Sequence, residues 1–169
     1  MTKNARPSRD ELIELIPNLR RFACALVGNR NDGDDLVQST LEKLMTKGVP
    51  NDVNLKAWSF RVCRNLRIDA IRSSEVRARL DPEYVGRTPL HEDGERAMIS
   101  KLTLIDVNQA MEDLPVDQRA ALALVALEGY SYSEAAEMLD VSIGTIMSRV
   151  HRARHKLVEA LNDNPPSLN

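Results

Sequence analysis

The sequence has few aromatic residues, few cysteines and no long apolar run. Aromatic side chains make up 4% of the 169 residues and alternating β-branched stretches are scarce, so a β-sheet core is not expected. The longest apolar run, 120–127, is far too short to span a bilayer. No apolar signal core follows Met1, so neither secretion nor membrane insertion is expected, and we predict a cytoplasmic chain. Cys24 and Cys63 lie in apolar helical patterns and are predicted to be buried free thiols.

The residues that are present favour helices. A composition of 43% hydrophobic and 28% charged residues is that of a folded chain, and 169 residues suffice for one ordinary domain or two small ones. We predict an all-α protein of two small helical domains joined by a flexible acidic linker. The predicted division is 8–75 for the first domain, 76–98 for the linker, 99–162 for the second domain and 163–169 for a tail.

Caps and apolar spacing predict the individual helices. Ser8 and Glu11 have the spacing of a capping box, and Gly28 should end the helix that they begin. Pro82, Gly86 and other turn residues interrupt the helical pattern in 75–91. The further predicted helices are 32–45, 55–73, 92–114, 116–128, 133–139 and 142–161.

The net charge of −2 hides an uneven distribution. Residues 53–79 hold seven basic and two acidic side chains, and residues 141–156 hold four basic and no acidic ones. Residues 81–96 between them hold five acidic side chains and two arginines. This pattern indicates two phosphate-facing surfaces joined by a segment that stays off nucleic acid.

Residues 130–157, YSYSEAAEMLDVSIGTIMSRVHRARHKL, have the layout of a helix-turn-helix. A turn at Asp140 separates a short helix from a longer one that Ser142 caps. One side of the longer helix is predicted to be apolar, with Ile143, Ile146, Val150, Ala153, Leu157 and Leu161. The other side suits a major groove, although a solvated basic face is the alternative. The DNA-binding candidates here are Ser142, Gly144, Thr145, Met147, Ser148, Arg149, His151, Arg152 and Lys156.

Two helices of the first domain carry further candidates. In 55–72, cations beside an amide suit the phosphates and bases of melted DNA, whereas the spacing of Trp58 favours a core position over base stacking. The candidates are Arg61, Arg64, Asn65, Arg67 and Arg72. Residues 34–44 form either a docking face for a basic partner helix or a plain amphipathic core helix. The binding candidates there are Asp35, Leu36, Gln38, Leu41 and Glu42.

Together these motifs resemble the extracytoplasmic-function (ECF) RNA polymerase sigma factors of the sigma-70 superfamily. The helix-turn-helix resembles their region four in Leu114, Pro115, Arg119, Gly129, Ser131, Tyr132, Glu134, Ala136, Ser142, Gly144, Thr145, Ile146, Met147, Ser148, Arg149, Arg152, Ala153 and Arg154. The first domain resembles region two in Asp35, Leu36, Val37, Gln38, Ala57, Trp58, Arg64, Asn65, Leu66 and Asp69. The resemblance covers nearly the whole chain apart from the linker and tail.

The resemblance implies a sigma factor that directs core RNA polymerase to promoters. The candidates in 34–44 would bind core polymerase, those in 55–72 would bind and melt the −10 element, and those in the helix-turn-helix would recognise the −35 element. The two elements lie about 17 base pairs apart, or about 58 Å at about 3.4 Å per base pair, a span that the linker can bridge. The implied partners are core RNA polymerase, promoter DNA and an anti-sigma factor.

Departures from the family pattern leave alternatives open. Met147 stands where lysine or arginine is common, and Asp140 stands where glycine is usual, although aspartate tolerates a left-handed turn. The alternatives are a sigma-like mimic that sequesters an anti-sigma factor and an ordinary helix-turn-helix regulator. No glycine-rich phosphate loop or nucleophile elbow is present, so we expect no enzyme activity and no cofactor. His151 and His155 have a metal-ligand spacing, but neighbouring arginines would repel a metal ion, so no metal is expected.

Overall fold

A computed structural model of the chain describes residues 4–81, 83 and 107–163. We call residues 4–81 the N-terminal half and residues 107–163 the C-terminal half. Most of the predicted linker, the first part of the predicted 92–114 helix and the predicted tail lie outside the described residues.

Three helices form the N-terminal half: α1 (Arg9–Val27), α2 (Arg30–Lys47) and α3 (Leu55–Leu80). The predicted capping box is confirmed, because the Ser8 side chain accepts from the N–H of Glu11 while the Glu11 carboxylate accepts from the N–H of Ser8. Gly28 ends α1 in the left-handed conformation with φ of 85°, as predicted. A short antiparallel pair, β1 (Asn4–Ala5) and β2 (Val49–Pro50), joins the residues before α1 to the turn after α2.

Helix α3 is longer than predicted. It continues beyond the predicted end at Ser73 to Leu80, so residues 76–80, which were assigned to the linker, are helical. The polar pair Ser73 and Ser74 does not end the helix. Asp81 leaves the helical region immediately before Pro82, where a following proline disfavours helical backbone.

The C-terminal half contains four helices and a π-helical turn. Residues 107–112 form α4, followed by α5 (Val116–Leu122), a π-helical turn (Ala123–Leu127), α6 (Tyr132–Leu139) and α7 (Ile143–Asp163). The predicted helix 116–128 is therefore part α and part π. Ser131, two residues before the predicted start, caps α6 through a second capping box with Glu134.

The described parts of the two halves share one apolar core. Phe22 packs edge-to-face on Phe60 within the N-terminal half, with ring centroids 4.8 Å apart. Phe60 in turn meets Tyr130 of the C-terminal half at 6.2 Å. Both cysteines are free, as predicted, and burial raises the pKa of the Cys63 thiol to about 12. Cys24 is only half-buried. The two halves are therefore in direct contact, which places the candidate binding helices of one against the other.

Candidate nucleic-acid interface

Helices α6 and α7 and the turn between them form the predicted helix-turn-helix. Asp140 takes the left-handed conformation with φ of 57°, so the tolerance predicted for aspartate at this position is confirmed. Ser142 accepts from the N–H of Thr145 at 3.2 Å, which caps the start of α7. Ala135 and Ala136 are buried, and their small side chains let α6 lie close to its neighbours.

The buried side of α7 agrees with the prediction except at its first residue. Ile146, Val150 and Ala153 are buried, and Leu157 and Leu161 are half-buried. Ile143 was predicted to join them, but its side chain is 47% exposed. At 100° per residue Ile143 lies at the edge of the buried arc and precedes its first buried member, which accounts for the exposure.

Most predicted DNA-binding residues of α7 face solvent. The exposed members are Ser142, Gly144, Met147, Ser148, His151, Arg152 and Lys156. Thr145 is half-buried, and its hydroxyl lies 2.8 Å from the Ser142 hydroxyl. The outward side of α7 is therefore a cationic face with small polar groups near its start.

Arg149 differs from the other candidates in α7 because its side chain turns toward α5. One guanidinium nitrogen lies 3.5 Å from an Asp117 carboxylate oxygen. Arg64 of α3 lies 3.6 Å from the other oxygen of the same carboxylate. Asp117 thus holds one arginine from each of the two predicted DNA-binding surfaces.

Two of the −10 candidates in α3 contact the end of α6. Arg61 donates to the carbonyl of Glu137 at 3.0 Å and more weakly to that of Met138 at 3.4 Å. Arg64 donates to the carbonyl of Leu139 at 3.4 Å. These carbonyls belong to the last turn of α6, where the Asp140 N–H reaches the Glu137 carbonyl at 3.3 Å, and the two arginines add donors that cap that helix.

Burial accompanies these contacts. The Arg64 side chain is 15% exposed. Burial lowers the pKa of Arg64, an effect that the Asp117 carboxylate partly opposes. Arg61 also lies over the Trp58 ring, with its guanidinium carbon 5.4 Å from the ring centroid. Trp58 is half-buried against the core, as its spacing predicted.

Arg119 of the C-terminal half caps the end of α1 in the N-terminal half. Its guanidinium donates to the carbonyls of Leu26 at 2.6 Å, Glu112 at 2.5 Å and Leu114 at 3.3 Å. Leu26 lies in the last turn of α1, which contains no basic residue of its own. Burial lowers the pKa of Arg119. The C-terminal half therefore caps α1, and the N-terminal half caps α6.

A bidentate ion pair adds to this contact. The guanidinium of Arg21 donates to both carboxylate oxygens of Glu128, at 2.8 and 2.9 Å. The Glu128 side chain is 1% exposed, and this pairing raises the pKa of Arg21. Arg21, Asp117 and Glu128 were not among the predicted site residues. Each occurs in a pattern typical of a solvated helix face, so their partners could not be inferred from local sequence.

The remaining −10 candidates differ in exposure. Asn65 and Arg72 face solvent, and the Asn65 side-chain oxygen accepts from Arg64. Arg67 is half-buried, and its Nε has no hydrogen-bond partner among the described residues. Burial lowers the pKa of Arg67. In this arrangement only part of the predicted −10 surface is accessible.

On α2 the polymerase-binding candidates divide between surface and core. Asp35, Gln38 and Glu42 are exposed and lie on one side of the helix, at the spacing of neighbouring turns. Leu36 is buried in the core and Leu41 is half-buried against it. The three polar residues are therefore the ones available to a partner.

Within the described residues, no group of three or more histidine, cysteine or acidic side chains is placed to hold a metal ion. The His151 and His155 rings lie 6.5 Å apart, and His155 lies 3.4 Å from Glu159. In the same part of the chain, no helix combines the length and apolar character needed to cross a membrane.

Comparisons with known proteins give consistent relatives for both halves. A family model described as Sigma-70, region 4 matches residues 104–157, and one described as the Sigma2 domain of PhyR matches residues 12–64. The ECF RNA polymerase sigma factor EcfG of Rhodopseudomonas palustris is 39% identical over 152 residues, which cover 88% of this chain and 82% of the relative.

Two solved structures resemble the chain over most of its length. One is the sigma factor RpoE in complex with the anti-sigma factor NepR from Bartonella quintana. It has a TM-score of 0.70 and 36% identity and covers 92% of this chain and 97% of that one. The other is the anti-anti-sigma factor PhyR complexed with NepR from the same organism. It has a TM-score of 0.59 and 19% identity and covers 90% of this chain and 50% of that one, so it is a likeness of fold alone.

Proposed function

The chain belongs to the ECF RNA polymerase sigma factors, and from that premise we propose how its residues divide the work of promoter recognition. Residues 99–162 recognise the −35 element through α7, and residues 8–75 bind core polymerase through α2 and the −10 element through α3. The observation that carries this assignment is the exposed cationic face of α7 in a helix-turn-helix, on the same chain as the basic helix α3.

The proposal requires the two halves to separate on the promoter. The −10 and −35 elements lie about 58 Å apart, at about 3.4 Å for each of about 17 base pairs. In the described structure, by contrast, Arg61 of α3 is hydrogen-bonded to Glu137 of α6 at 3.0 Å. We propose that binding to core polymerase favours a separated form in which Arg61 and Arg64 exchange helix carbonyls for DNA.

The partners follow from the family and its relatives. We propose that Asp35, Gln38 and Glu42 dock core polymerase, because they form the exposed acidic and amide side of α2. RpoE of Bartonella quintana was crystallised with an anti-sigma factor, and we propose that this chain binds a protein of the same kind. It would act in the cytoplasm by binding, and not by catalysing a reaction of its own.

Run-off transcription with purified core polymerase on a genomic promoter library tests the proposal. The chain should support initiation from a defined subset of promoters. An Asp35→Lys variant should fold normally, but it should recover much less core polymerase than the unmodified chain does in a pull-down. Glu14→Lys, a charge reversal at another exposed position, should leave core binding unchanged. Normal core binding by a folded Asp35→Lys variant would count against the α2 assignment.

The match of residues 12–64 to the Sigma2 domain of PhyR favours one second candidate. A mimic of that kind would bind an anti-sigma factor without serving polymerase. The exposed Ser148 and Arg152 and the relatives named as sigma factors speak for the first proposal. Binding of an anti-sigma factor without any promoter-specific transcription would favour the mimic.

A further inference from the structure

The start of α7 exposes an unusual set of side chains for a recognition helix. In a helix-turn-helix the N-terminal residues of the second helix contact base edges. Across 142–148 the exposed residues are Ser142, Ile143, Gly144, Met147 and Ser148. None of them carries a charge or an amide, and the next residue, Arg149, is turned toward Asp117.

This set excludes the usual pairings with purines. Bidentate recognition of guanine needs arginine or lysine, and that of adenine needs asparagine or glutamine. Neither kind of side chain is exposed in the first two turns of α7. The large side chains exposed there are apolar: Ile143 at 47% and Met147 at 54%. The apolar group that a base presents in the major groove is the C5-methyl of thymine.

The position of these side chains indicates DNA as the occupant. Ile143 and Met147 are four residues apart and so are neighbours on the helix surface. At 100° per residue, Met147 lies between Ile143 and the outward residues Gly144 and Ser148, whereas Ile143 and Arg152 lie on opposite sides of the helix. Residues 141–156 contain four basic and no acidic side chains, so the surrounding surface attracts phosphate.

We propose that Ile143 and Met147 contact thymine C5-methyl groups in the −35 element and thereby select A·T pairs at those positions. The inference rests on the proposed function of α7 and goes beyond it by naming the DNA group that is recognised. Arg152, farther along the helix, supplies the polar contact, and the start of α7 supplies the apolar one.

Deoxyuridine substitution tests the proposal, because it removes the methyl group and keeps the base pair. The probe is a promoter duplex that supports run-off transcription by this chain with core polymerase. Each thymine of its −35 element, on either strand, is replaced in turn by deoxyuridine, and holoenzyme affinity is measured. Loss of one buried methyl should weaken binding by about fourfold. We expect this loss at one or two positions.

Variants assign the effect to the two side chains. Met147→Ser and Ile143→Ser should each lose sensitivity to deoxyuridine at one position, so the unmodified and substituted duplexes bind equally. Val158→Ser is the matched control, since Val158 is 57% exposed on the same helix but lies near its other end. It should retain the full sensitivity. Met147→Arg, a better helix former than serine, should also lose the sensitivity at the Met147 position.

The outcomes separate the two proposals. If no promoter supports transcription, the proposed function fails. If transcription occurs but no deoxyuridine weakens binding, or if the serine variants keep the wild-type sensitivity, the methyl contacts are wrong. A selected −35 element without thymine on either strand would overturn them as well.

Discussion

The two basic helices differ in what their arginines contact. In α3, Arg61 and Arg64 donate to carbonyls at the end of α6. In α7, Arg152 is exposed. Both segments have the same character in the sequence, a helix with cations on one side. The difference shows that a basic stripe identifies a surface that can bind phosphate, but not whether that surface is free in a given conformation.

In the packed form, the carbonyls at the end of α6 occupy the arginines of α3 that are proposed to bind DNA. The last carbonyls of an α-helix lack intrahelical partners and carry the negative end of the helix dipole, equivalent to about half an elementary charge. A phosphate carries a full negative charge. Arginines that cap α6 therefore keep a partner in the packed form, and the proposed move to DNA would exchange that partner for one of greater charge.

The largest expected effect comes from removing the buried cap. Arg119→Met leaves the carbonyls of Leu26 and Glu112 without their donor. We expect the free energy of unfolding to fall by about 2–4 kcal/mol, as measured by urea denaturation. Arg152→Met is the control, and as an exposed substitution it should change stability by less than about 0.5 kcal/mol. Equal stability of the two variants would show that the Arg119 cap contributes little.

The second prediction concerns the two sets of arginines directly. Arg152→Ala should lower the free energy of DNA binding by about 1–3 kcal/mol at one −35 position, in the free chain and in the holoenzyme alike, because that side chain is already exposed in the free chain and needs no rearrangement to reach DNA. Arg64→Ala should weaken promoter binding by the holoenzyme and leave DNA binding by the free chain nearly unchanged. Fluorescence anisotropy on a −35 substitution panel provides the measurement. An equal effect of Arg64→Ala in both states would mean that Arg64 is not covered in solution.

The smallest expected effect comes from the shared carboxylate. Asp117→Asn removes the charge that holds Arg64 and Arg149 and should raise DNA affinity of the free chain by up to about fivefold, the range expected for one partly exposed ion pair. The gain should shrink as salt rises. Glu14→Gln changes the net charge equally at an exposed site without these contacts. An equal gain in Glu14→Gln would attribute the effect to net charge alone.

Local signals in the sequence predicted local structure well. The capping box at Ser8, the end of α1 at Gly28 and the left-handed turn at Asp140 are all confirmed, because each depends on residues within one turn of the chain. The end of α3 was predicted less well, because the helix continues seven residues beyond the predicted end at Ser73. Pro82, a stronger signal, lies just beyond its true end.

Contacts between the halves were not predictable in the same way. Arg61 and Arg119 reach carbonyls 76 and 93 residues away in sequence, which no spacing rule encodes. Arg119 carried a weak signal, because it is the only cation in 116–128 and directly precedes an apolar run. Ile143 is exposed because it is the first residue of α7 and precedes the first buried residue of that helix, Ile146. Periodicity alone predicted a core position for it.

The π-helical turn has a consequence for how tolerant this chain is of changes in length. In Ala123–Leu127 the N–H of Glu128 bonds to the carbonyl of Ala123, five residues back, instead of four. Such a turn holds one residue more than the corresponding α-helical turn. Deleting a residue from 123–127 would let this turn revert to α-helical winding, with the flanking residues in nearly the same angular positions. A one-residue deletion in the regular helix α5, by contrast, would turn the residues that follow by about 100° and separate Glu128 from Arg21, so 123–127 is the part of this segment that should best tolerate the loss of a residue.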